Sequence, residues 1–329
     1  MELINSLKNE ELYSVMPTNC HPIYTGSYLI PTNEISRLYQ LVSRCINNRC
    51  PGALIFGKPR LGKTRAINFL VSLLPQEYVN IPIYHMTCRE YSKPNENIFF
   101  EDLLRTVGHP EFNKGKANNK RDRLLKYLVQ KVNISGQNRL LLFIDDAQRL
   151  HEMQYNWLMD LYNELDYHKI FLTVFLVGQE ELENHRSVFF ELGKKQIIGR
   201  FMVEQYQFRG IETTEDLQEI LKGYDFYSEY PENSGISFTR CFFNHVKDYN
   251  FTLQSSTNNL FKVFEDLRKE AAIRTKIEIP MQYLALTIEY ALKEFGINGQ
   301  AVNILTAKHW FEAINESGYI SAELYSNRG

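Results

Sequence analysis

With 37 lysines and arginines against 39 acidic residues, this chain of 329 residues carries a formal charge of −2. No molecule-wide field therefore draws it to nucleic acid or an anionic membrane, and any such binding has to come from a local patch. Its 44% hydrophobic content excludes a natively disordered chain, and at about 150 residues per domain the length suggests two domains. The N-terminal residues lack a signal-peptide layout, and the strongest apolar run, residues 170–177, is too short to span a bilayer. The five cysteines form no CxxC pair, so free thiols are expected rather than zinc, in a cytoplasmic protein.

Residues 1–31 read as an irregular N-terminal arm with scattered aromatics. Thr32 suits an N-cap, and Ile35, Leu38, Leu41, Val42 and Cys45 then share one helical face. The apolar run at 52–56 predicts a buried strand, and Ala66, Ile67, Phe69, Leu70 and Leu73 predict a helix. Between them stands a complete Walker A loop, Gly57-Lys58-Pro59-Arg60-Leu61-Gly62-Lys63-Thr64, followed by Arg65. Its glycines allow backbone N–H groups to close around a polyphosphate at a helix N-terminus. Lys63 is placed to meet the β- and γ-phosphates of ATP, and the Thr64 hydroxyl to hold Mg²⁺.

A second strand is expected at 81–86 and a helix at 98–107. A polar loop at 109–119 leads into a helix over 121–133. That loop and helix concentrate Lys114, Lys116, Lys120, Arg121, Arg123 and Lys126 against one nearby acid, Asp122. Such a patch in a slightly acidic chain suits sequence-independent contacts to a double-stranded DNA backbone, for which Lys114, Lys116, Lys120, Arg121 and Arg123 are the candidates. The competing reading is a solvated helix face. Asn119-Lys120-Arg121-Asp122 spells the guanine-specifying NKxD, but it precedes the magnesium-binding strand and follows a polar loop, so the match is accidental.

The apolar strand at 140–144 ends in Asp145-Asp146, a Walker B element. Asp145 is the second candidate Mg²⁺ ligand. Asp146 is the candidate for polarising the attacking water, with a side chain one methylene shorter than the usual Glu. A helix carries Met153, Trp157, Leu158, Leu161 and Leu165, and the strand at 170–177 leads to Gly178-Gln179. Gln179 stands where a polar group senses the γ-phosphate. Arg200 precedes a last strand expected at 201–206, where an arginine can reach a neighbouring subunit's phosphate; Arg186 competes for that role. Beyond residue 211 the spacing is helical throughout, including 217–221, 242–246, 260–267 and 284–292. The predicted fold is α/β: an AAA+ P-loop NTPase with a five-stranded parallel sheet flanked by helices, over residues 32–210, plus a small C-terminal all-helical lid region over 211–329.

On Gly57-x-Pro59-x-x-Gly62-Lys63-Thr64, Ile144-Asp145-Asp146-Ala147-Gln148, Leu176-Val177-Gly178-Gln179 and Arg200, the sequence resembles the TnsC/TniB/MuB group of transposition AAA+ ATPases over roughly residues 30–300. Its compact size looks most like TnsC of CRISPR-associated transposons. The resemblance implies an ATP-dependent homo-oligomer, ring or helical filament, on DNA in a bacterial cytoplasm. It would link a TniQ-type targeting protein to transposase subunits of the TnsA/TnsB type. Two departures, Asp146 in place of Glu and no arginine near Asn258-Asn259-Leu260 for a sensor 2 contact, suit a slow switch more than a motor. The alternatives are an ExeA-like secretion ATPase and a replication initiator or helicase loader; a winged helix expected of the latter is not visible in the sequence.

Overall fold

The computed structural model describes residues 20–246 and 251–326. The chain divides into two compact units. One runs from Arg37 to Arg209; the other joins the described residues up to Ser36 with those from Gly210 onward.

The first unit is built on five parallel strands: β1 (Gly52–Phe56), β2 (Ile83–Thr87), β3 (Arg139–Asp145), β4 (Phe171–Gly178) and β5 (Glu204–Gln207). Their order across the sheet is β2-β3-β4-β1-β5. Leu54, Leu142, Ile144, Val174 and Leu176 belong to one core cluster; Ala53, Ile55, Phe143, Phe175 and Val177 alternate with them and are fully buried too. β1, β3 and β4 are buried on both faces and read as continuous apolar runs, which is why they stand out in the sequence, whereas β2 is a half-buried edge strand. The register pairs Phe56 with Gly178 and Thr87 with Asp145, bringing the carboxyl ends of β1 to β4 level along one edge.

The helices of this unit are α1 (Asn33–Asn47, from Arg37 onward), α2 (Lys63–Glu77), α3 (Glu96–Thr106), α4 (Ala117–Ser135), α5 (Glu152–Tyr167), α6 (Glu181–Glu191) and α7 (Lys195–Phe201). Thr32 does cap α1, its Oγ1 accepting the N–H of Ile35 at 3.1 Å. The last strand begins later than the sequence suggests. Phe201 and Met202 are fully buried at the end of α7, so their apolarity serves the helix end and not β5.

The second unit contains α8 (Thr214–Lys222), α9 (Thr257–Glu270), α10 (Met281–Phe295), α11 (Ala307–Ser317) and α12 (Tyr319–Ser326). Trp310, Phe264, Leu284, Ile288 and Tyr319 form its centre. The buried Arg268 donates to the Tyr319 hydroxyl at 2.9 Å and pairs with Glu323, fixing α12 to α9. A helix expected at 242–246 lies earlier, at Phe238–Phe242. The proposed arm also needs correction. Ile23 and Ile30 are buried in the helical core, and the Tyr28 hydroxyl donates to Glu289 at 2.9 Å. Residues 20–31 are therefore a packed part of this unit, while 1–19 lie outside the described residues.

Candidate nucleotide site

The Walker A loop leaves β1 at Gly57, where a Cβ would lie 2.2 Å from the backbone oxygen of Phe208, a contact only glycine avoids. Gly62 turns the chain into α2 with φ of 100°, a conformation glycine adopts without the Cβ penalty of other residues. Leu61 is buried, while Arg60 and Arg65 are exposed. Lys63 is 8% exposed, and its ammonium donates to the carbonyls of Gly57 (2.7 Å) and Lys58 (2.6 Å). Burial pulls its pKa below the usual lysine value, with Asp145, Asp146, Glu180 and Glu181 acting in the opposite sense.

The Thr64 hydroxyl donates to Asp145 Oδ2 at 2.6 Å, and Asp145 Oδ1 accepts the N–H of Asp146 at 2.9 Å. A hydroxyl and a carboxylate oxygen in contact fit a hard, octahedral ion whose remaining positions go to water and phosphate oxygens, as Mg²⁺ prefers.

Asp146 follows with φ of 52° and starts a short 3₁₀ turn, Ala147–Arg149. Gln148 Nε2 donates to Asp146 Oδ1 at 3.2 Å, and Gln148 Oε1 accepts the N–H of Gln179 at 3.2 Å. The Arg149 guanidinium lies 3.3 Å from Asp146 Oδ2 and donates to the Cys88 carbonyl at 3.1 Å. His85, on β2, brings Nε2 to 3.9 Å from Asp145 Oδ2; this nitrogen is buried without a hydrogen-bond partner. Burial lowers the His85 pKa and Asp145 opposes that shift. The sequence assigns no role to His85, Gln148 or Arg149. Their only signals are Gln148's place in the Asp-Asp-Ala-Gln motif and adjacency to the Walker B strand.

The structure thus gathers Gly57, Lys63, Thr64, Asp145, Asp146 and Gln179 at the carboxyl edge of the sheet, where open α/β sheets bind ligands. Arg200 sits on the last turn of α7, its guanidinium 4.3 Å from the centre of the Tyr162 ring on α5. The Nε of Arg186 on α6 is buried without a hydrogen-bond partner.

The basic cluster is less uniform than its sequence suggests. Lys120 is 1% exposed and pairs with Glu101 of α3 at 2.6 Å. It offers no surface charge to a phosphate and instead ties α4 to α3, which corrects the expectation for that residue. Lys114 pairs with Glu111 at 2.7 Å, and Arg121 lies 3.7 Å from Glu96 and 3.8 Å from Asp160. Arg123 donates to the carbonyls of Glu111 and Lys114. Lys116 and Lys126 are exposed.

Residues 47–185 match a protein family described as AAA domain. No curated protein matches the chain. Among solved structures it is similar to the Aeropyrum pernix ORC2 protein in ADPNP-ADP complexes, at 13% identity over 90% of this chain and 71% of that one, with a TM-score of 0.59. It is also similar to the Aeropyrum pernix ORC1 protein in complex with DNA, at 14% identity over 90% of this chain and 67% of that one, with a TM-score of 0.52. Together with the sheet order and Walker geometry, these define an AAA+ P-loop fold with a five-stranded parallel sheet flanked by helices and a C-terminal helical region. The comparisons support the AAA+ class and carry nothing specific to transposition. Among the described residues, no helix is long and apolar enough to cross a membrane.

Proposed function

We propose that this chain is a Mg²⁺-dependent ATPase whose nucleotide state controls its assembly on double-stranded DNA, in the manner of a replication initiator or helicase loader. The bond between Thr64 and Asp145, beside a buried Lys63, carries the ATPase part of this reading. The Walker A backbone and Lys63 would hold the polyphosphate of ATP, and Thr64 and Asp145 would hold Mg²⁺, which supplies charge neutralisation for phosphoryl transfer. The Asp146 carboxylate orients the attacking water, and Gln179 lies beside it through the Gln148 bridge. Arg200 is the group we assign to a neighbouring subunit's site, and Lys114, Lys116, Arg121 and Arg123 are the remaining candidates for backbone contacts.

DNA as partner draws support from the similarity to an ORC1 protein solved with DNA. A second reading is a transposition regulator linking a TniQ-type protein to a transposase. The observation on its side is that the Gln148 amide joins two of the motifs that carry that resemblance, Ile144–Gln148 and Leu176–Gln179. Negative-stain imaging with and without ATP and duplex DNA tests the common core. ATP-dependent oligomers on DNA are expected, and Lys63→Ala should abolish them; full assembly by that variant without nucleotide overturns the switch. Stimulated loading of a hexameric helicase, against ATP-dependent retention of a TniQ-type protein, separates the two readings.

A further inference from the structure

Gln148 occupies the turn between β3 and α5, and its amide is engaged at both ends. Nε2 meets Asp146 Oδ1 and Oε1 meets the N–H of Gln179, each at 3.2 Å. The orientation is forced. A backbone N–H only donates, so the carbonyl end of the amide must face Gln179 and the NH₂ end must face the carboxylate. Gly178 makes the space, because a Cβ there would lie 2.4 Å from Gln148 Oε1. The amide therefore spans the carboxyl ends of β3 and β4, which are neighbours in the sheet. The other oxygen of Asp146 faces Arg149, whose guanidinium also reaches the Cys88 carbonyl just beyond β2.

We propose that Gln148 is a positioning residue for ATP hydrolysis: its amide aims the Asp146 carboxylate and couples it to the Gln179 backbone. The proposal rests on the reading of Asp146 as the group that orients the attacking water. Gln148 needs no contact with substrate, since both its polar ends are spent within the protein. A neutral amide suits the place because it donates to an anion and accepts from an N–H at once. Glutamate keeps the acceptor but sets a second negative charge against Asp146, and alanine removes both bonds.

The test is steady-state ATP hydrolysis by the full chain with Mg²⁺, alongside titration with a fluorescent ATP analogue and a melting curve for each variant. Gln148→Ala and Gln148→Glu are expected to lower kcat by about 10–100-fold, the usual cost of losing a group that orients a site residue without touching substrate, while analogue affinity stays within about threefold. Gly178→Ala pushes the amide aside without removing it and should lower kcat similarly. The double variant should fall no further than Gln148→Ala, because both changes act through one connection. Wild-type kcat in Gln148→Ala, or losses that multiply in the double variant, overturns the proposal. If Gly178→Ala does not fold, the two Gln148 variants decide. Asp146→Asn distinguishes the failures. An unchanged rate in that variant overturns the underlying reading, a slow Asp146→Asn beside a full-rate Gln148→Ala overturns this proposal alone, and a wild-type chain without turnover overturns both.

Discussion

Asp146 holds a left-handed backbone, φ of 52°, that aspartate tolerates better than most side chains. The reversal it makes directly after β3 is what returns Gln148 and Arg149 to its own carboxylate. A short side chain held this way leaves less reach toward a water than glutamate has, which is the physical ground for expecting slow turnover under the proposed function. Asp146→Asn keeps the shape and the acceptor for Gln148 but removes the charge. It should lower kcat by about 10²–10⁴-fold with nucleotide affinity nearly unchanged, and it should accumulate ATP-bound assemblies. Single-turnover hydrolysis with labelled ATP checks this, and a wild-type rate would remove Asp146 from the mechanism.

At the scale of elements, β1, β3 and β4 are legible because buried parallel strands leave unbroken apolar runs. Glu204-Gln205-Tyr206-Gln207 is polar at three of four positions, so β5 left no such signal, and the buried Phe201 and Met202 drew the expectation forward. The Walker residues were legible for a different reason: a polyphosphate cradle needs fixed residue types at fixed spacing. Charge pairing was not legible, because Glu101, Glu96 and Asp160 reach α4 from other helices. The difference can be measured. Lys116→Glu should weaken binding to every duplex sequence and flatten the log–log salt slope by about 0.9 per lost contact. Lys120→Met should leave the slope unchanged and lower stability by roughly 1–3 kcal/mol, since it takes the ammonium from one oxygen of the partly buried Glu101 and leaves only Arg105, at 3.2 Å, on the other. Anisotropy titrations across salt, paired with urea unfolding, separate the two; equal slope changes would return Lys120 to the DNA surface.

The whole chain consists of two units with separate cores, and their responses to pH should differ. His21 lies among the rings of Tyr230, Phe238 and Phe242, and its Nδ1 accepts the N–H of Ile23 at 3.1 Å. Burial pushes its pKa down to about 4, against about 6.5 in an unfolded chain. Below 6.5 the unfolded state takes up a proton that the folded state refuses, so the stabilisation is complete above pH 6.5 and lost as pH falls toward 4. In a Trp157→Phe background, Trp310 fluorescence reports the helical unit alone. Its urea midpoint should drop over that window, and His21→Asn, which retains an acceptor for the Ile23 N–H without a titrating ring, should flatten the drop. An identical profile in both proteins would exclude His21 as the source.

The packing of residues 20–31 into the helical core has a consequence for synthesis. Ile23 and Ile30 are made before the rest of their core cluster, whose members Leu217, Phe264 and Leu284 follow some two hundred residues later. The intervening segment, Arg37–Arg209, contains every strand of the parallel sheet and can close on itself first. The helical unit must instead wait for contacts of long sequence separation, which are slow to form. During translation residues 20–31 are therefore expected to wait without their core partners, with the Arg37–Arg209 unit expected to mature ahead of the helical unit.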